Sequence, residues 1–163
     1  MWHLAQVNVA RPLAPLDSPQ LAEFVAQLDA VNALAEAAPG FVWRLSGASG
    51  NATDVRALED PSLIVNMSLW VSPEALFEFV YKTMHVAVMA RRRDWFERIE
   101  VFQTLWWVPT GHRPSVDEAM ARLRMLREHG PSPDAFTFKR RYPAPGDASG
   151  PTDMKPEPYC EAV

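Results

Sequence analysis

Cysteine is almost missing from this 163-residue chain: Cys160 is the single one, so no disulfide can form within it. A chain of this length buries enough surface to fold without such staples, and the shortage suits a reducing cytoplasm. Glycine is also sparse, at seven residues. None falls into a G-x-G-x-x-G turn, a phosphate loop or a G-x-S-x-G elbow, which leaves nucleotide cofactors and serine hydrolysis without support. The four histidines lack zinc spacing with each other or with cysteine, and no Cys-X-X-Cys-His exists to attach haem covalently. Positive charge is in the minority, 16 Lys and Arg against 20 Asp and Glu for a net charge of −4, with no basic stripe in the first half. Nucleic acid is therefore not an expected partner. No apolar run approaches the ~20 residues that span a bilayer, and the opening MWHLAQVNVARPLAPL lacks the layout of a signal peptide. These absences predict a soluble cytoplasmic protein without a membrane partner.

What is present is globular: 48% of residues are hydrophobic, and tryptophan occurs six times. WHLAQVNVA alternates as a strand, after which RPLAPLDSP breaks the pattern. Ser18 and Pro19 then read as a helix cap and first helical residue, opening a helix that runs to Pro39-Gly40. FVWRL is a short second strand and SLIVNMSLWV the clearest third. Ser72-Pro73-Glu74 repeats the helix-start signature, and that helix could run past residue 90. VFQTLWWVP is a fourth strand, and Ser115 with Glu118 has capping-box spacing for a last helix that Gly130-Pro131 closes. Strand, helix, strand, strand, helix, strand is the ferredoxin-like βαββαβ order, an α+β fold with an antiparallel sheet, helices on one face and an added C-terminal helix. We expect one domain over residues 1–142 and a flexible proline- and glycine-rich tail over 143–163.

Several long stretches, NALAEAAPGFVWRLSGASGNATDVRALEDP, NMSLWVSPEALFEFVYKTMH, RRRDWFE, LWWVPTGHRPSVDEAMARL and GPSPDAFTF, resemble in order a bacterial domain-of-unknown-function family, DUF3291. The resemblance covers roughly residues 2–142. It implies the dimeric α+β-barrel superfamily, in which two ferredoxin-like subunits join their sheets, and hence a homodimer. Relatives implied by it include cofactor-independent monooxygenases, haem-binding and haem-degrading enzymes, lactone isomerases and stress proteins without known reactions. It carries no catalytic residue set, and fold alone does not transfer function.

The residues themselves suggest a pocket. Alternation sets Ile64, Asn66, Ser68 and Trp70 on one face of the third strand, opposite Val65, Met67, Leu69 and Val71. Gln6, Asn8 and Arg44 can join that polar face, and Trp43, Trp70, Trp106 and Trp107 offer aromatic area for a planar ligand. The fully apolar opposite face argues separately for a second subunit to cover it. On the helix, Phe77, Tyr81, His85, Val88 and Arg92 fall along one side. His85 can act as a general base and Tyr81 as a donor, with Arg92 or Arg93 holding an anionic group. His85 could instead ligate haem iron, although no cofactor is expected on the leading reading. The ordinary alternative is a satisfied histidine and a solvated helix end. Asn32, an amide among Val31 and Leu34 of the first helix, and His112, in the turn after the fourth strand, complete the candidates, each with a plain structural alternative. The favoured function is an enzyme acting on a planar aromatic or polyketide-like molecule; the others are a haem protein and a non-catalytic stress or binding protein.

Overall fold

A computed structural model describes residues 1–48, 50–55, 57, 60–82 and 91–154. Four strands, β1 (Trp2–Ala10), β2 (Phe41–Arg44), β3 (Ile64–Trp70) and β4 (Gln103–Pro109), form one antiparallel sheet in the order β2-β3-β1-β4. That is the ferredoxin-like order, with the first and third strands central. Register runs from Leu4 opposite Trp70 to Ala10 opposite Ile64, and from Trp2 opposite Pro109 to Asn8 opposite Gln103. Even-numbered residues of β1 and β3 therefore share one face and odd-numbered residues the other.

The even face carries α1 (Ala22–Glu36) and α2 (Pro73–Lys82). At one end Leu4, Trp70, Leu76, Phe79, Leu105 and Phe136 close into a buried cluster. At the other end Ala10, Leu21, Ile64, Trp95 and Phe96 form a second, to which the short helix α3 (Arg92–Trp95) contributes. Ser72 caps α2 as expected, its Oγ accepting from the Ala75 N–H at 3.2 Å. The start of α1 differs from expectation. It begins at Ala22 after Leu21, without a side-chain cap, because Ser18 and Leu21 close a backbone turn (Leu21 N–H to Ser18 O, 3.1 Å) ahead of the helix.

The odd face is covered within the chain. The added helix α4 (Val116–His129) lays Ala119, Met120 and Leu123 into a cluster with Ala5, Val7, Trp106 and Val108, which Leu63, Val101 and Phe102 extend. Val65 and Met67 are completely buried there and Leu69 is 1% exposed. This corrects the expectation that the apolar side of β3 calls for a second subunit: the single chain already shields it. Only half of the predicted capping box forms at α4. Ser115 Oγ accepts from the Glu118 N–H at 3.1 Å, whereas the Glu118 carboxylate turns to Trp106 and His112. Past α4, Arg140–Arg141 (β5) pairs with Thr152–Asp153 (β6) in a small two-stranded sheet.

Candidate functional site

Helix α1 explains where the cleft lies. Its inward arc, Phe24, Leu28, Val31 and Ala35, recurs at helical spacing, yet only Ala35 is buried. The helix is anchored near both ends, by Leu21 and by Ala35, while its middle stands off the sheet. Beneath it is an open cleft of about 120 Å³. The floor comes from Asn8, Ala10, Ile64 and Asn66 of the sheet, one wall from Gln27, Leu28 and Asn32 of α1, and the far wall from Arg92 and Phe96. The loop residues Asn51 and Thr53 close one side. A cavity of about 150 Å³ takes one benzene ring, so a cleft of this volume is on the scale of a single small ring.

Arg92 sets its electrostatics. Its Nη2 donates to the Val9 carbonyl at 3.1 Å, and its guanidinium stacks 4.2 Å from the Phe102 ring centroid. Among the described residues it forms no ion pair with a carboxylate, and burial pushes its pKa down. A half-buried cation without a counter-ion bears part of its desolvation cost, which a bound anion would offset. Its neighbour Arg91 is conventional: exposed and paired with Glu23 and Asp94.

Four sequence candidates meet here: Asn8, Asn32, Asn66 and Arg92. The others are placed elsewhere, each for a physical reason. Ser68 lies on the correct face but is 9% exposed and committed, accepting from Trp70 Nε1 at 2.9 Å and donating to Gln6 Oε1 at 3.0 Å. Trp70 is core, stacked on Phe79 at 5.3 Å. Arg44, opposite Ser68, spends its guanidinium on Glu36 (2.7 Å) and the Gly50 carbonyl (2.8 Å), tying the end of α1 to the following loop. Tyr81 packs against Phe77 (4.4 Å) and Phe138 (6.1 Å) outside the cleft. Trp106 lies under α4 on the opposite face with Trp43, and Glu118 joins it to the exposed His112, at 3.1 and 2.8 Å. His85 falls outside the described residues, as does Cys160. Gln27 and Asn51 were not singled out. Spacing could have found Gln27, which is three residues from Phe24 and four from Val31; nothing in the loop sequence points to Asn51.

Among the described residues no group of three or more His, Cys, Asp or Glu could hold a metal ion, and no helix is long and apolar enough to cross a membrane. No curated protein matches the chain. Solved structures do, distantly. SnoaB from Streptomyces nogalater, described as a cofactor-independent oxygenase, is 15% identical, with a TM-score of 0.46 over 71% of this chain and 98% of its own. A protein of unknown function from Nitrosomonas europaea is 14% identical, with a TM-score of 0.45 over 71% of this chain and 97% of its own. Likenesses this remote transfer no chemistry. The family assignment is firmer: the profile of the domain of unknown function DUF3291 matches residues 3–152, and the chain belongs to that family.

Proposed function

We propose that this protein binds a planar, one-ring organic anion in the cleft beneath α1 and acts on it as an enzyme of the cofactor-independent oxygenating kind. The carrying observation is Arg92, a cleft-lining guanidinium with no carboxylate partner among the described residues. Beside it, Asn8 and Asn66 supply amides and Phe24, Leu28 and Ile64 supply apolar walls. Few polar groups in an apolar recess is the usual make-up of a small-molecule site. The reaction class fits such a site because it asks little of the protein. A phenol and O2 give a quinone and water: a ring C–H is lost, one oxygen atom becomes the new carbonyl, and the other leaves as water. The substrate supplies all the electrons, so no reductant is needed. Arg92 would hold the phenolate, the walls would exclude water, and His85 would take the phenolic proton. The role of His85 rests on the sequence alone.

Titrating the protein with benzoate and with electron-rich phenols, following tryptophan fluorescence, tests the binding half. Binding that Arg92→Met weakens by roughly 30-fold or more, the worth of a charge-assisted contact, supports it. Failure of every one-ring anion to bind, or undiminished binding by the variant, overturns it. Oxygen consumption with a bound phenol that persists in His85→Ala would remove the histidine from the mechanism.

Homodimerisation belongs to the same proposal. It is supported by the outer strand β2, which pairs only with β3 among the described strands and has Val42 and Val71 exposed beside it, at 37% and 52%. Sedimentation of a monomer at micromolar concentration would refute it.

A further inference from the structure

The cleft amides are not free to point either way. The oxygen and nitrogen ends of a carboxamide have nearly the same shape, so its hydrogen-bond partners decide its orientation. Two relays reach the cleft, and each starts from a group whose polarity chemistry fixes. On the sheet, the Trp70 indole N–H can only donate, and it donates to Ser68 Oγ at 2.9 Å. Ser68 then spends its own proton on Gln6 Oε1 at 3.0 Å. Gln6 is left with its NH2, which donates to Asn8 Oδ1 at 2.9 Å. Asn8 therefore turns its own NH2 away from the relay, as the end left for a ligand. Gln6 and Ser68 are 5% and 9% exposed and Trp70 1%, so water cannot easily rescue a reversed relay.

The second relay runs the other way. The Asp29 carboxylate only accepts, and Asn51 Nδ2 donates to it at 3.2 Å. Asn51 Oδ1 in turn accepts from Asn32 Nδ2 at 2.6 Å. Asn32 thus keeps its carbonyl oxygen uncommitted. Both Asn8 and Asn32 line the cleft, on its floor and its α1 wall respectively.

We infer that the two relays give the cleft a fixed donor–acceptor pattern: Arg92 and the Asn8 NH2 receive an oxyanion, and the Asn32 carbonyl receives a hydroxyl or N–H proton from the same ring. This deepens the proposed function and rests on it. The ligand class is then a hydroxy-substituted aryl carboxylate or a dihydroxylated ring, one oxygen ionised and the other protonated. Gln6 and Ser68 act as positioning residues, since they reach the ligand only through Asn8.

The test uses isosteric pairs of probes: 2-, 3- and 4-hydroxybenzoate against the matching fluorobenzoates, titrated calorimetrically. Fluorine has nearly the size of hydroxyl but cannot donate. At least one hydroxybenzoate is expected to bind about tenfold more tightly than its fluoro partner, which corresponds to one hydrogen bond of about 1.4 kcal/mol. Asn32→Leu should erase that ratio, weakening the hydroxybenzoate about tenfold more than its fluoro partner; Asn32→Ala serves if leucine disturbs the helix. Asn8→Leu should weaken both members of a pair equally. Ser68→Ala, shown to be folded by circular dichroism, should weaken both several-fold with the ratio intact, whereas a merely structural serine would leave affinity alone. Fluorobenzoates bound as tightly as hydroxybenzoates, or a ratio that survives both Asn32 variants, would overturn this inference while the anion-binding cleft stands. No binding by any probe would overturn both.

Discussion

Substituting Gly40 by alanine is the sharpest test of how α1, β2 and α2 are fitted together. Gly40 has φ +82°, and a Cβ placed on it would sit 2.7 Å from Ala75 Cβ and 2.7 Å from Val71 Cγ2. Its carbonyl also accepts from the Val71 N–H at 2.8 Å, so the backbone cannot drift away without losing a bond. Two costs add. The left-handed conformation is worth about 1–2 kcal/mol against a non-glycine residue, and overpacking at contacts this short adds about 1–3 kcal/mol. The sum for Gly40→Ala is about 2–5 kcal/mol. Gly111 provides the control: its φ is +93°, but nothing lies within 4 Å of an added Cβ, so Gly111→Ala should lose only about 1–2 kcal/mol. Urea denaturation of both variants beside the parent protein, analysed at constant m, measures the difference. In thermal melts each kcal/mol should appear as about 2–4 °C. Equal losses in the two variants would refute the close approach of the α1–β2 turn to the start of α2.

Other contacts in the fold carry expected outcomes of their own. Arg92→Met should leave the ligand-free protein within about 1 kcal/mol of the parent or make it more stable, because relief of a desolvated charge offsets the lost Val9 and Phe102 contacts; a loss above about 2 kcal/mol in urea would make Arg92 structural. Glu118→Ala should cost about 1–3 kcal/mol by leaving the Trp106 N–H without its acceptor, while Glu118→Gln, which can still accept, should cost less; equal chemical-denaturation midpoints would show that the indole bond contributes nothing. The Ser62 hydroxyl, its N–H and Arg11 hold the Asp60 carboxyl below the usual aspartate range. That stabilisation is complete above the usual range and is lost as pH falls through the lowered value, so Asp60→Asn should flatten the acid limb of the stability profile. Urea midpoints measured from neutral to strongly acidic pH check this; an unchanged acid limb would rule it out.

Most of the architecture was legible because its signals are local. Period-two alternation located β1 and β3, and Ser72-Pro73 and Gly130 marked helix ends through backbone geometry that needs no distant partner. The miss at Ser18-Pro19 is of a different kind: a strong start signal was outcompeted by a turn closed with Leu21, which the core at Trp95 and Phe96 holds in place. The cleft was half legible. Asn66 and Ser68 look equivalent in the strand pattern, but Ser68 is consumed by Trp70 and Gln6 while Asn66 faces open space, and only the packed structure distinguishes them. Trp106 and Trp107 are adjacent and so must face opposite ways. Because both sheet faces are covered, hydrophobicity could not say which of them shares the cleft's side of the sheet, and neither lines the cleft itself.

The position of α4 has a consequence for synthesis. The residues that complete the odd face, Ala119, Met120 and Leu123, are translated after all four strands of the sheet, well behind β1 and β3 and directly behind β4. Until they emerge, Trp106, Val108 and their neighbours on that face have no helix over them. The nascent sheet is then an apolar platform beside an unpaired β2 edge, the kind of surface that aggregates or engages chaperones. Any chain ending before Val116 would be held permanently at that stage.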